Sequence, residues 1–325
     1  MKGRIGIFFK NNSKKLSIFL FLSLLLTSCS KEKRSENAAE KMQEFVINIS
    51  NYTHQYDSDF IIIPQNGEAL GFNQADPDLA LNTNYLAAID GIGVEEIFYN
   101  GAFAPDDYRI EMLQQLNASE KILVSEYVND NANITDALSR NYSQGFISFV
   151  RNNENYDYIQ IPANVPFENA TNITSLSLAQ NYLYLIGTSQ YSSKQELIDA
   201  VAETNYDLVI IDLFFDDVVF TAAEINQLKL KKNGGQRLVI SYVSIGSAEK
   251  YRYYYKKGWG HHHPLWLKKK YEGYPDEFWV KFWKKDWQDI IYGNDGSYLK
   301  KILDSGFDGC YLDNVEAYYF LYYTD

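Results

Sequence analysis

Cysteine is nearly absent: two occur in 325 residues, at positions 29 and 310. That excludes a disulfide framework, and a lone cysteine in the apolar run around Cys310 reads as core. Histidine is scarce too, and three of the four stand side by side as His261, His262 and His263. Neighbouring positions cannot share one helix face, and no other spacing suits a metal, so neither a metal nor a cofactor is expected. Basic residues are outnumbered, 30 Lys and Arg against 42 Asp and Glu. Nucleic acid is therefore excluded as a partner, because phosphate binding requires a basic face. No glycine-rich phosphate loop follows any apolar run, which argues against a dinucleotide-binding sheet.

What is present begins at the N-terminus. Lys2, Arg4, Lys10, Lys14 and Lys15 precede the apolar run LSIFLFLSLLL, which is too short for a membrane span of about 20 residues. The LTSC that follows resembles a bacterial lipobox, with residues 1–28 as signal peptide and Cys29 as the lipidated first residue of the mature chain. Ser30 after it resembles the outer-membrane sorting pattern, and residues 29–40 read as a polar tether. The implied place is the bacterial cell envelope, with the membrane reached through the lipid on Cys29. Removing five cations and no acids takes the net charge from −12 to −17. A neutral or cationic ligand fits that balance. The 27 Tyr and 5 Trp supply amphipathic rings that suit sugar faces as well as cores.

From residue 41 onward short apolar runs alternate with amphipathic segments. The candidate strands are residues 60–64, 91–99, 122–128, 145–150, 182–187, 207–212, 237–246, 279–283 and 309–313. Helical patterns lie between several of them, and SSKQELIDAVAETN carries a capping serine at Ser192 or Ser193 with Glu196 behind it. Strands that are apolar throughout, separated by helices, imply a parallel sheet covered on both faces. Nine candidates for eight places favour a closed (β/α)8 TIM barrel of α/β class over an open sheet. Residues 41–325 form its single domain, with a long aperiodic connection over 151–180 between two halves, 41–150 and 181–325.

In such a barrel the chemistry sits at the C-terminal ends of the strands. Here those ends carry Asp212, Asp313 with Asn314, Glu95, and Glu126 with Tyr127. Gln65 and Asn66 end the first run, and the run from 237 leads through Tyr242 and Ser244 to Glu249. A single Asp at a strand end is a common helix cap or turn residue. Several carboxylates around one mouth repel one another and split into protonated and ionised forms, which folding alone does not require. Glycoside hydrolysis requires that split: one group protonates the leaving oxygen and the other attacks or activates water. Asp313, Asp212, Glu95 and Glu249 are the candidate catalytic carboxylates. Gln65, Asn66, Glu126, Tyr127, Tyr242, Ser244 and Asn314 are candidates for holding sugar hydroxyls.

The segments NYDLVIIDLFF, NGGQRLVISYVSIGSAEKYRYY and SGFDGCYLDNVEAY resemble the bacterial proteins related to endo-α-1,4-polygalactosaminidase, the family 114-like glycoside hydrolases. The resemblance covers most of residues 181–320. It implies a (β/α)8 fold and cleavage of α-1,4-linked galactosamine or N-acetylgalactosamine polymers. The family's later elements, a strand ending in PQNG, a G.G.E..FY strand and a strand ending in EY, stand here at the front of the chain, so the barrel resembles a circularly permuted version. The pattern departs at Ser247, Lys250, Lys284, Tyr311, Asn314 and Glu316, each expected near the mouth. The expected partner is a poly- or oligosaccharide bound by a monomer. The alternatives of different class are a non-catalytic glycan-binding lipoprotein on the same barrel and a scaffold with no role on sugars.

Overall fold

The computed structural model describes residues 12–323, with side chains from residue 31 onward. The signal peptide and the lipidation at Cys29 expected from sequence lie outside the residues so described. Among the described residues no helix is long and apolar enough to cross a membrane. Helix α1 runs Asn12–Thr53. Met42, Phe45, Val46 and Ile49 recur at helical spacing and are fully buried. The stripe begins two turns earlier, at Ser35, and continues through Ala38 and Ala39, so the end of the expected tether packs onto the domain. Gln43 secures the helix by donating Nε2 to the carbonyls of Leu70 (2.7 Å) and Phe72 (2.9 Å).

Eight parallel strands follow: β1 (Ile61–Pro64), β2 (Gly91–Phe103), β3 (Lys121–Val128), β4 (Ile147–Arg151), β5 (Tyr182–Leu185), β6 (Leu208–Asp212), β7 (Leu238–Ser244) and β8 (Gly309–Asp313). Their apolar runs are buried along nearly their whole length, as two covered faces require. They form a five-stranded parallel sheet in the order β1, β8, β7, β6, β5, and a three-stranded parallel sheet β2, β3, β4. The last strand of the chain thus lies between β7 and the first, with Ile61 opposite Gly309 and Pro64 opposite Leu312. A parallel bridge between Gln65 and Gly93 connects the β1 edge to β2.

Eight of the nine candidate strands match these elements. The run at 279–283 does not join them, because its residues up to Val280 belong to an antiparallel hairpin of Leu267–Tyr271 and Tyr274–Val280 that also pairs with Ser247–Glu249. Glu272 and Gly273 separate its paired ends, and Gly273 takes the φ of +84° that such a two-residue turn favours.

The crossover helices are α2 (Asp107–Leu116), α3 (Ile134–Ser143), α4 (Lys194–Ala202), α5 (Ala222–Leu228), α6 (Lys285–Ile291) and α7 (Tyr298–Asp304), with a short α8 (Ala317–Phe320) after β8. Ser193 caps α4 through Glu196 N, and Thr221 with Glu224 closes a capping box on α5. The 151–180 connection is largely irregular, as its composition predicts, with one short 3-10 turn at Leu176–Leu178. It is fastened at the N-terminal end of β6. Asp207 and Lys231, both with wholly buried side chains, pair at 2.5 Å. Lys231 also donates to Thr171 O (2.9 Å), and Asp207 accepts from Gln180 N (2.8 Å) and from Asn169 Nδ2.

Breaking a buried pair from one side strands the other charge. Lys231→Met is expected to lower the unfolding free energy by about 3–5 kcal/mol, measured by urea denaturation. A loss below about 1 kcal/mol, the ordinary value of an exposed pair, contradicts this role.

Candidate functional site

The C-terminal ends of the parallel strands open into a cavity of about 830 Å³. The backbone turns sharply just past β1 and β8, with left-handed φ at Asn66 (+59°) and Asn314 (+62°), and within β2 at Glu96 (+59°), where the pairing with β3 is interrupted. The preceding residues, Gln65, Glu95 and Asp313, are left facing the cavity. Asparagine tolerates this conformation because its short polar side chain bonds locally. Glutamate does not favour it, and a non-glycine residue held there costs about 1–3 kcal/mol. Glu96 is held by Arg151 Nη2 at 2.6 Å and by the Tyr156 hydroxyl at 3.1 Å, in a region where the β2 to β3 register shifts. That shift leaves Glu95 and Glu96 with different jobs. Glu96 is bound into an ion pair, whereas Glu95 accepts only neutral donors, the Tyr158 hydroxyl and Asn66 Nδ2 (3.3 Å).

Arg252 is the one cation among the residues that line the cavity. Its Nη1 and Nη2 reach Asp212 at 2.8 and 2.7 Å, and its Nε reaches Glu249 at 2.6 Å. The fork geometry of guanidinium suits this double engagement. Asp212 also caps the backbone N–H of Phe214 (2.8 Å), and Glu249 accepts from the Tyr251 hydroxyl. Both carboxylates are therefore committed to partners inside the protein.

Asp313 has no cation. Tyr242 Oη donates to its Oδ2 at 2.5 Å, and Asn314 donates its backbone N–H to Oδ1 (2.7 Å) and its side-chain Nδ2 to Oδ2 (3.0 Å). Burial, reinforced by the charges of Glu95 and Glu249, outweighs those donors and pushes Asp313 up to about 7. Asn314 Nδ2 also approaches Ser244 Oγ (3.0 Å) and Ser247 Oγ (3.3 Å), and Ser247 donates to Glu277 at 2.9 Å. A hydrogen-bonded line thus runs from Asp313 to Glu277 on the hairpin. Glu277 is pushed up to about 8 by burial and by the charges of Glu249 and Asp313. Glu316, just beyond β8, is also raised to about 8, by burial and then by Asp313, Glu68 and Glu95.

Of the residues expected from sequence, Asp313, Asp212, Glu95, Glu249, Gln65, Asn66, Tyr242 and Asn314 line this cavity. Glu126, Tyr127 and Ser244 do not. Side chains alternate along a strand: Ser125 points inward to the Tyr158 hydroxyl (3.0 Å), so Glu126 points outward, where it is fully buried and accepts from Phe98 N, Tyr99 N and Asn141 Nδ2 of α3. Tyr127 lies under the Arg151 guanidinium, and Ser244 is buried against Ser247. Lys250 and Lys284 are exposed, and Lys250 pairs with Asp276. Neither lines the cavity, although the Lys250 ammonium contacts the Pro275 carbonyl and Asp276 at its edge. Tyr311 is interior but away from the opening, packed where Gly93 has no side chain. A Cβ on Gly93 would lie 1.9 Å from the Tyr311 hydroxyl oxygen.

Glu277, Arg252, Tyr156 and Tyr158 line the cavity without having been singled out from sequence. Arg252 had a signal, its i,i+3 spacing from Glu249 in SAEKYR. Glu277 had none, because it sits on the hairpin and at no parallel strand end. His261, His262 and His263 are exposed, and among the described residues no group of three or more His, Cys, Asp or Glu is arranged to hold a metal.

The chain is similar in sequence to several known proteins. An uncharacterised protein of Methanocaldococcus jannaschii is 36% identical over 153 residues, 46% of this chain and 41% of that protein. An uncharacterised protein of Deinococcus radiodurans is 32% identical over 158 residues, 48% of this chain and 47% of the other, and one of Thermotoga maritima is 30% identical over 118 residues, 36% and 35%. The chain spans less than half the length of each of these relatives. Residues 169–325, which contain Asp212, Glu249, Arg252, Glu277 and Asp313, match the glycoside-hydrolase family GH114.

Proposed function

We propose that the protein is a glycosidase that hydrolyses an α-linked amino-sugar polysaccharide of the galactosamine or N-acetylgalactosamine type, with Asp313 and Glu95 as the working carboxylates. The observation that carries this reading is the division of charge around Arg252. Asp212 and Glu249 are both engaged by it and serve to position, whereas Asp313 and Glu95 face the cavity with neutral donors alone. A carboxyl group near 7 beside a second carboxylate holds a proton to give or take at neutral pH, which is the requirement of glycosidic cleavage. Asn66, Tyr242 and Asn314 fix the orientation of the two groups, and with Gln65 they offer bonds to sugar hydroxyls.

The fold that would present this pair is a closed barrel in permuted order. Two contacts support closure: the Gln65 to Gly93 bridge between β1 and β2, and the Phe149 and Tyr182 rings, 6.1 Å apart, between β4 and β5. The position of β8 between β7 and β1 supports the permutation. The same proposal places the mature protein in the cell envelope as a monomer, anchored through lipid on Cys29.

Asp313→Asn and Glu95→Gln are each expected to lower kcat by about 10²-fold or more, read as reducing ends released from partially acetylated galactosamine polymer. Parent-level activity in either variant rejects the assignment, and binding by the parent without release identifies a glycan-binding module. A kcat/KM profile should show a limb near pH 7 that Asp313→Asn removes. A rate that declines above that pH makes Asp313 the acid, since its protonated form is then lost. A rate that declines below it makes Asp313 the attacking or water-activating group.

A further inference from the structure

The chain is acidic overall, but its cations are not spread evenly along it. Residues 250–285 carry ten of the 30 Lys and Arg and only three of the 42 Asp and Glu. Four of the ten are answered within the protein: Arg252 by Asp212 and Glu249, Lys250 by Asp276, Lys269 by Glu272 and Lys285 by Asp289, whereas among the described residues no ion pair engages Lys268, Lys281 or Lys284. The fold gathers these three at the base of the hairpin, away from its turn. Leu267 pairs with Val280, so Lys268 and Lys281 each follow one partner of that pair. Lys281 N donates to Trp266 O (2.8 Å), Lys284 N to Lys281 O (2.9 Å) and His262 N to Leu267 O (3.0 Å), which brings the exposed His261, His262 and His263 to the same place. Partial burial and then the charges of Lys268 and Lys284 hold the Lys281 ammonium below its usual range. Like charges so gathered repel, and an anion from outside the chain relieves them.

An apolar side chain stands beside them. Leu265 is 73% exposed, the most exposed large hydrophobic residue among those described. Cations around a protruding leucine match a membrane surface, where headgroups carry the anions and the acyl boundary takes the apolar group. A soluble polyanion uses the charges and leaves Leu265 without a role. The patch also lies against the helix that leads from the N-terminus. Phe45 of α1 stacks on Phe282 with centroids 6.2 Å apart, and Lys41 Nζ sits 4.9 Å from the centre of the Trp283 ring. At 1.5 Å per helical residue, Lys41 is about 18 Å along α1 from Cys29. The expected anchor and the cationic patch therefore reach one surface.

We propose that the base of the hairpin is a membrane-docking surface, with Lys268, Lys281 and Lys284 on the phosphate headgroups of an anionic leaflet and Leu265 in its boundary. This rests on the cell-envelope reading above and is independent of the reaction. A single acyl chain holds a protein at a membrane only marginally, and a cationic patch supplies a second contact. The turn end of the same hairpin carries Tyr274, Asp276 and Glu277 to the cavity. Docking by the base thus fixes how the mouth stands over the surface.

The test measures partition of the full chain onto vesicles of phosphatidylcholine alone and of phosphatidylcholine with phosphatidylglycerol. The ratio of the two coefficients divides out the apolar N-terminal run, which parent and variants share. The parent should prefer the anionic vesicles, and added salt should weaken that preference. Replacing all three lysines, Lys268→Gln, Lys281→Gln and Lys284→Gln, should lower the ratio about 10²-fold. Leu265→Ser should lower it about tenfold. Thermal unfolding checks that each variant folds, and if the triple variant does not, the exposed Leu265 decides. Ratios within about twofold of the parent for both variants overturn the inference and leave the anchor standing. Binding of polyphosphate by a parent with no preference for anionic vesicles also overturns it and assigns the patch to a soluble polyanion. A parent that partitions onto neither vesicle overturns the cell-envelope reading and this inference with it.

Discussion

The arrangement of the mouth depends on one buried guanidinium. Strand ends and the hairpin bring many carboxylates to a single cavity, and among the described residues Arg252 is the only cation lining it. Its fork engages Asp212 and Glu249 at once, with the Asp212 oxygens at 2.8 and 2.7 Å. Charges so close in a poorly hydrated site require compensation, and what one arginine cannot cover must be met by protonation. Asp313, Glu277 and Glu316 accordingly sit well above the ordinary carboxylate range. The chemistry available to the site follows from which acids Arg252 engages and which it leaves.

A second constraint sets the shape around it. The interior between β2, β5 and β8 is filled by tyrosines: Tyr158 stacks on Tyr184 with centroids 3.9 Å apart, and Tyr184 meets Tyr311 edge-on at 5.4 Å. Tyr184 donates to Gln65 at 3.0 Å and Tyr158 donates to Glu95, so the packed layer orients the polar groups above it. Tyr311 is possible there because Gly93 leaves its space. A further close approach lies at Gly246, where a Cβ would stand 1.8 Å from the Asn314 carbonyl oxygen. Four more of the positions that depart from the related sequences divide by place. Ser247 and Asn314 touch each other within the line from Asp313 to Glu277. Lys250 and Lys284 are on the surface.

Most of the fold was legible. Runs such as LVIID and GCYLD have no polar alternation, and the capping serine and threonine before KQELIDAVA and AAEINQL mark helix starts that the backbone adopts. The misplaced run near 279 is apolar because its hairpin packs on the core, with Phe278, Trp279 and Val280 all buried. Composition does not distinguish that burial from a place in the parallel sheet. The polar tether was shorter than its composition implied, since Ala38 and Ala39 are weak apolar signals that become core only against a neighbouring surface.

The sequence by itself determined which carboxylates stand at strand ends, and hence that Asp313, Asp212, Glu95 and Glu249 are candidates for one mouth, because strand termini are local features of apolar runs. Only the tertiary structure decided how they divide. Glu126 turns outward by the parity of β3, Arg252 engages two of the four, and Glu277 arrives from a segment with no strand-end signature. Charge pairing and hydrogen bonding act through space between residues as far apart in the chain as Asp212 and Arg252 or Glu95 and Tyr158. No periodicity in a linear pattern carries that information.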